Sequence, residues 1–379
     1  MGVHQELRWH AQPEALGMAR DPLLAALAGL CEGVELGQHP GAQVYLARHG
    51  QPLLEFACGQ AAPGVPLGID GVTAWFSACK PLTAMAIALL YDRGRLTLDD
   101  PVTRYLPRFR NGKESCTIRH VLTHQGGFAG AVQHDDARPW DEIVAAICEH
   151  PAEYPPGTRA GYHPTAGWYV LGEIVRLVDG RPVQRFLADE LLEPLGMADS
   201  RLGIPPAEQT RLGPRLARVA LGMTERQPFA DQGFVERYNS PAEIARINPS
   251  GGVRGPARDL GRFYDWMLAG GRVGERPVVD RRTVELFVAG HRWGLPDATL
   301  MGANLAWGLG FALHGNADID RAASRRVFGH SGMVSSVGFA DPVVGLAMAI
   351  VTTGLLDPMT NARRLRAVSA GAYAACAAG

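Results

Sequence analysis

Apolar positions fall in two rhythms along this chain. Near the start, Ala42 to Arg48 and Leu53 to Cys58 are short apolar runs separated by His49-Gly50-Gln51-Pro52. Runs this short, bounded by turn-forming residues, predict a β-hairpin. Toward the other end, Arg326 to Phe328, Val334 to Ala340 and Val344 to Thr352 are three more strand candidates. Turns are expected between them, at Gly329-His330-Ser331-Gly332 and Asp341-Pro342. The middle changes to helical spacing. Pro81 to Arg93 is apolar almost all round, which predicts a buried central helix stopped at Gly94. Pro139 to Glu149, Thr165 to Val178, Val183 to Leu192 and Pro256 to Ala269 read as further helices, and Thr360 to Ala375 as a last one carrying Arg363, Arg364 and Arg366.

The expected architecture is therefore α+β. The economical arrangement joins the two β-rich ends in one antiparallel sheet flanked by helices, with the mostly helical middle as a large insertion. Residues 1–74 and 240–379 would form the sheet-bearing part and residues 75–239 the helical part, with a site at their seam.

At 379 residues and 46% hydrophobic content the chain can bury a large core. Its 37 basic and 38 acidic residues leave a net charge of -1, with no basic stripe or tail for a nucleic acid or an anionic membrane. Met1 to Arg20 is charged and lacks an apolar run, so no signal peptide is read there and a cytoplasmic location is expected. No stretch is long and apolar enough to span a membrane. The six cysteines are scattered, which predicts reduced, mostly buried thiols rather than a disulfide frame or a zinc site.

The chemistry concentrates in Ser77-Ala78-Cys79-Lys80-Pro81. A helix start leaves backbone N–H groups free and favours negative charge. Residues three apart share a face, so Lys80 can reach the Ser77 hydroxyl. A lysine held in a partly desolvated cleft loses proton affinity and can serve as a base to a serine nucleophile. Cys79 points to another face and is expected in the core.

Around this motif several stretches occur in a fixed order: Leu98-Asp99-Asp100-Pro101-Val102 with Tyr105-Leu106-Pro107, Thr117 to His124, Glu193-Pro194-Leu195-Gly196-Met197, and Gly251-Gly252-Val253 followed by Ala257-Arg258-Asp259-Leu260. Together they resemble the class C β-lactamase and family VIII esterase group of serine hydrolases, relatives of the penicillin-binding proteins. The likeness runs from the first hairpin to the last strand. It implies an S-x-x-K acyl-enzyme mechanism and a β-lactamase/transpeptidase-like fold.

The resemblance assigns a second motif to Tyr162-His163-Pro164, with Tyr162 relaying a proton between nucleophile and leaving group and His163 beside the substrate. Pro164 stands where the family has Asn, so a side-chain amide contact to Lys80 and substrate is expected to be missing. A third motif falls at His330-Ser331-Gly332, where β-lactamases have Lys-Thr-Gly. His330, Ser331 and Gly332 would face the substrate, with Trp307 on a strand alongside. The amides of Ser77 and Met333 would form the oxyanion hole. His330 in place of a lysine weakens any pocket for a β-lactam carboxylate.

His120 and His124, four apart on one expected helix face, lack the glutamate of H-E-x-x-H and are not read as a metal site. No cofactor is implied. The expected substrate is a small-molecule ester or amide, with an amine or alcohol as a possible acyl acceptor. Trp293 and Trp307, with Trp168 and Tyr169, are candidates for a dry wall around such an acceptor. The competing readings are an acyltransferase of secondary metabolism, a β-lactamase or D-amino-peptidase, and a non-catalytic binding relative.

Overall fold

The computed structural model describes residues 2–133, 137–224 and 226–379. Its main sheet is antiparallel throughout. We number its strands β1 (Gln5–Trp9), β2 (Gly41–Arg48), β3 (Gln51–Ala62), β4 (Ala312–Leu313), β5 (Phe328–Gly332), β6 (Ser336–Asp341) and β7 (Leu346–Thr352). They lie in the order β1-β3-β2-β7-β6-β5-β4. The two β-rich ends of the chain are thus joined where β7 pairs with β2, with Ala349 opposite Tyr45. The first hairpin turns on two residues, His49 and Gly50, both with positive φ. That geometry matches the twist of the flanking strands.

Both faces of the sheet are covered, which is why its inner strands read as continuous apolar runs instead of alternating ones. Val44 and Leu46 join Leu27, Leu30, Leu365 and Val368 in one core. These come from helices α1 (Arg20–Glu35) and α6 (Pro358–Ala378), which pack on each other. Tyr45 and Ala47, pointing the other way, join Leu260, Phe263 and Tyr264 of α5 (Ala257–Leu268) in the larger core.

That larger core continues into the helical middle. Helix α2 (Lys80–Asp92) is buried from Lys80 to Leu90. It packs against α4 (Ala166–Asp179), which in turn packs on α3 (Trp140–Glu149). A small three-stranded sheet ties the parts together, with Val253–Gly255 between Thr73–Ala74 and Arg201–Leu202. No helix of the described residues is long and apolar enough to cross a membrane.

Two local expectations are corrected. The segment 329–332 is strand β5, paired with β6 from Phe328↔Ala340 to Gly332↔Ser336, and the turn lies at Met333–Ser335. The short helix Ile118–Leu122 ends before His124, whose φ is +59°, so His120 and His124 do not share a helix face.

Candidate active site

Ser77 sits in a 3-10 turn, Phe76–Cys79, that runs directly into α2. Lys80, the first residue of α2, is wholly buried. Its Nζ lies 2.8 Å from Ser77 Oγ, 2.9 Å from the Pro164 carbonyl oxygen and 2.7 Å from the Ser250 carbonyl oxygen. Desolvation pushes its pKa down to about 7, with the neighbouring Cys79 opposing slightly. Pro164 offers Lys80 no side-chain amide, as expected, yet a polar contact to this residue remains. The contact comes from the main chain, which needs no side-chain amide.

Tyr162 lies on the irregular segment before α4. Its ring faces Lys80 Nζ at 5.4 Å from the centroid. Burial raises its pKa, and interaction with the Ser77 hydroxyl offsets part of that rise. Behind it stand His124 and Trp307, with ring centroids 4.6 and 6.0 Å away. Trp307 also packs on His330 at 5.6 Å and is 2% exposed, so it backs Tyr162 and His330 instead of offering a surface to substrate.

Strand β5 brings in the third segment, and strand alternation decides which side chains reach the site. His330 and Gly332 share the face toward the Ser77 turn. A Cβ on Gly332 would lie 2.1 Å from the Trp75 carbonyl oxygen and 3.1 Å from the Ala78 amide nitrogen. The Ser336 hydroxyl donates to the same Trp75 carbonyl at 2.7 Å, tying β6 to the turn. Ser331 points to the opposite face. Its hydroxyl accepts from Asn316 Nδ2 at 2.8 Å, and its cross-strand partner Val337 belongs to the core under α1 and α6. Its expected substrate contact is therefore not formed.

His330 Nδ1 lies 2.7 Å from the Ser331 carbonyl. A carbonyl only accepts, so Nδ1 carries the proton and Nε2 is left as a buried acceptor with no partner among the described residues. Desolvation, helped by the Lys80 charge, brings its pKa down to about 3, so the ring is neutral around pH 7. The amides of Ser77 and Met333 donate to no backbone carbonyl among the described residues.

His163 is corrected outright. It is 0% exposed, its ring packs on Phe128 at 4.5 Å, and desolvation brings its pKa to about 3. It is a core residue behind the site. Trp168 and Tyr169 are buried in α4, and Trp293 lies in a separate groove with His314, so the expected aromatic wall of these residues does not line the cleft. No cluster of three or more metal-ligating side chains occurs among the described residues.

An aromatic wall does exist, made of other residues. Phe76 stacks on Tyr238 at 4.5 Å, and Tyr238 on Phe234 at 5.5 Å. These three line the cleft beside Ser77, together with Met333, Asn248 and Ser250. Phe234 and Tyr238 are four apart on the short helix Gln232–Tyr238, a spacing visible in the sequence.

Comparison with known proteins shows what the chain as a whole is similar to. A family model described as Beta-lactamase matches residues 30–372. Esterase/beta-lactamase LipL of Mycobacterium tuberculosis is 31% identical, covering 94% of this chain and 88% of that protein. Esterase EstB of Burkholderia gladioli is 28% identical over 86% of this chain and 89% of its own. Among solved structures, a penicillin-binding protein homolog from Caulobacter crescentus superposes with a TM-score of 0.79 at 28% identity, covering 97% of this chain and all of that one (100%).

Proposed function

From the premise that the chain belongs to the β-lactamase family and is a hydrolase, we propose that it cleaves carboxylic esters of small molecules through an acyl-enzyme on Ser77. One observation carries the reading. A neutral lysine amine has two N–H donors and one lone pair, and the carbonyls of Pro164 and Ser250 can only accept. The third contact of Nζ, to Ser77 Oγ, is then where the lone pair points.

The steps follow. Lys80 takes the Ser77 proton as Oγ bonds to the substrate carbonyl carbon. The amides of Ser77 and Met333 receive the developing oxyanion. The bond to the leaving alcohol breaks, and Tyr162 relays the proton from Lys80 to it. Water then attacks the ester on Ser77 by the same proton path in reverse, releasing acid and restoring the hydroxyl. An amine or alcohol in place of water would give transfer. We rank hydrolysis first because the aromatic wall expected around an acceptor does not line the cleft. The Phe76, Phe234 and Tyr238 wall favours an apolar acyl group. β-Lactams rank lower, because neutral His330 offers their carboxylate no cation.

The test uses purified protein with p-nitrophenyl butyrate and a chromogenic cephalosporin. The ester is expected to turn over faster, with butyric acid as the main product by mass spectrometry even when amines or alcohols are added. Ser77→Ala is expected to lose at least about 1,000-fold in kcat and all labelling by a fluorophosphonate. Its stability should change by no more than about 1 kcal/mol, a cap-sized effect. Undiminished activity in Ser77→Ala would remove the nucleophile assignment. A faster cephalosporin would reverse the order of substrates.

A further inference from the structure

We infer that the buried Arg292–Asp297 pair holds Tyr162 at the reacting serine, which makes Asp297 a positioning residue for proton transfer. The inference rests on the reading of Tyr162 as the proton relay.

Tyr162 lies outside any helix or strand, so its backbone polar groups need partners from elsewhere in the fold. They find them on the segment 297–299, which is 135 residues away in sequence. Asp297 Oδ1 accepts from the Tyr162 amide at 2.9 Å. Thr299 Oγ1 shares its one proton between Asp297 Oδ1 at 2.8 Å and the Tyr162 carbonyl at 3.3 Å. The neighbouring amide of Ala298 donates to the Ala160 carbonyl at 2.9 Å. The Tyr162 main chain is gripped at both its polar groups by one short segment.

That segment is anchored by charge. Asp297 Oδ2 lies 3.2 Å from Arg292 Nη2, and both side chains are fully buried. Arg292 Nη1 donates to the Thr123 carbonyl at 3.0 Å, just before His124, whose ring packs on Tyr162. The Arg292 guanidinium also lies over Trp307, 5.3 Å from the ring centroid, and Trp307 backs the Tyr162 ring. One ion pair thus sets Tyr162 from its main chain and from behind its ring.

A buried ion pair is weak evidence for stability, because desolvation offsets much of the attraction. A neutral residue could satisfy a single amide. What the carboxylate adds is alignment by several acceptor sites at once: Oδ1 takes the Tyr162 and Thr299 amides while Oδ2 is tied to Arg292. A relay between Ser77 and a leaving group needs that alignment, because a misplacement of about 1 Å can cost about 100-fold in rate.

The experiment is a double-mutant cycle on the full chain. Asp297→Ala and Asp297→Asn are made alone and in a Tyr162→Phe background, and acylation by p-nitrophenyl butyrate is followed. Asp297→Ala is expected to lower kcat at least about 10-fold with KM within about 2-fold. Asp297→Asn keeps an acceptor for the Tyr162 amide and should recover part of the rate. In the Tyr162→Phe background, Asp297→Ala should cost less than about 2-fold more, because the group it positions is gone. If Asp297→Ala unfolds, Arg292→Met with Asp297→Leu removes both charges together and should fold while showing the same kcat loss. Equal losses in both backgrounds, or a loss confined to KM, would overturn the positioning role. A fully active Tyr162→Phe would instead overturn the reading of Tyr162 itself.

Discussion

Lys80 carries the sharpest consequence at the scale of single residues. Burial brings its pKa down to about 7, so the neutral amine is accessible around neutral pH. The proposed mechanism uses only that form. The rate constant kcat/KM for an ester should therefore rise about 10-fold per pH unit below 7 and level off above it. The other groups of the site stay silent in this window. His330 and His163 are held at about 3 and His124 well below its ordinary value, chiefly by desolvation, while burial raises Tyr162 out of range. A pH profile from 5 to 9, corrected for spontaneous hydrolysis, checks this. A flat profile, or one falling with pH, would exclude Lys80 as the base. The closeness of Ser77 and Lys80 was legible in the sequence because three-residue spacing fixes a shared helical face. The two carbonyls on Lys80 were not legible, because main-chain oxygens leave no mark in residue identity. His163 was misplaced for a related reason: next to Tyr162 in sequence, it turns its ring inward against Phe128, and neighbours on an irregular segment need not face the same way.

The elements show where pattern reading held and where it lapsed. Helix α5 was legible because an apolar face recurs with the helical period over three turns, and α2 because its apolar run, closed by Gly94, is too long for a strand. Strand β5 was not, because Gly329-His330-Ser331-Gly332 has poor strand propensity and reads as a turn. Pairing with β4 on one side and β6 on the other overrides that propensity. Gly332 shows what β5 requires. A methyl there would meet the Trp75 carbonyl at 2.1 Å and Ser336 Oγ at 2.3 Å, and the carbonyl is backbone that cannot rotate aside. Gly332→Ala is expected to destabilise the protein by about 1–3 kcal/mol. It should reduce esterase activity further than the folded fraction accounts for, because β5 must move away from the Ser77 turn. Gly29→Ala is the control. Gly29 lies on the exposed side of α1 with open space where a Cβ would stand, so alanine should stabilise by about 0.5–1 kcal/mol and leave activity unchanged. Urea unfolding and initial rates on both variants decide. An unaffected Gly332→Ala would mean that β5 and the turn are less closely packed than they stand.

At the scale of the whole molecule, segments far apart in sequence close over one site. The joining of the two β-rich ends was legible, since neither alone could bury both its faces. The tie between the last helix and the site was within reach too. Asn361, Arg364, Leu365 and Val368 lie on one buried face of α6, while Arg363 is exposed, so the helical period singles out Arg364 among three neighbouring arginines. Arg364 Nη2 lies 2.7 Å from Asn361 Oδ1, 3.1 Å from the Gly354 carbonyl and 3.2 Å from the Val334 carbonyl, its two N–H groups shared among the three. Its Nη1 reaches the Gln38 carbonyl, just after α1, at 3.3 Å. Val334 follows Met333 in the turn whose amide is assigned to the oxyanion, and it is held at a φ of +44°, a conformation unfavourable for a β-branched residue. A strained turn persists only where its surroundings enforce it, and Arg364 is one such constraint. Arg364→Met leaves the buried Gly354 carbonyl without this donor, at about 1–3 kcal/mol before relaxation, and frees the half-buried Val334 and Gln38 carbonyls. We expect a fall in Tm of several degrees and, in protein still fully folded at 25 °C, slower fluorophosphonate labelling of Ser77 as the Met333 amide loses its fixed direction. The labelling rate separates two roles for α6. If Tm falls while labelling keeps its wild-type rate, β5–β6 pairing alone sets the turn and α6 only covers the sheet. If both change together, the last helix is part of what holds the oxyanion donor in place.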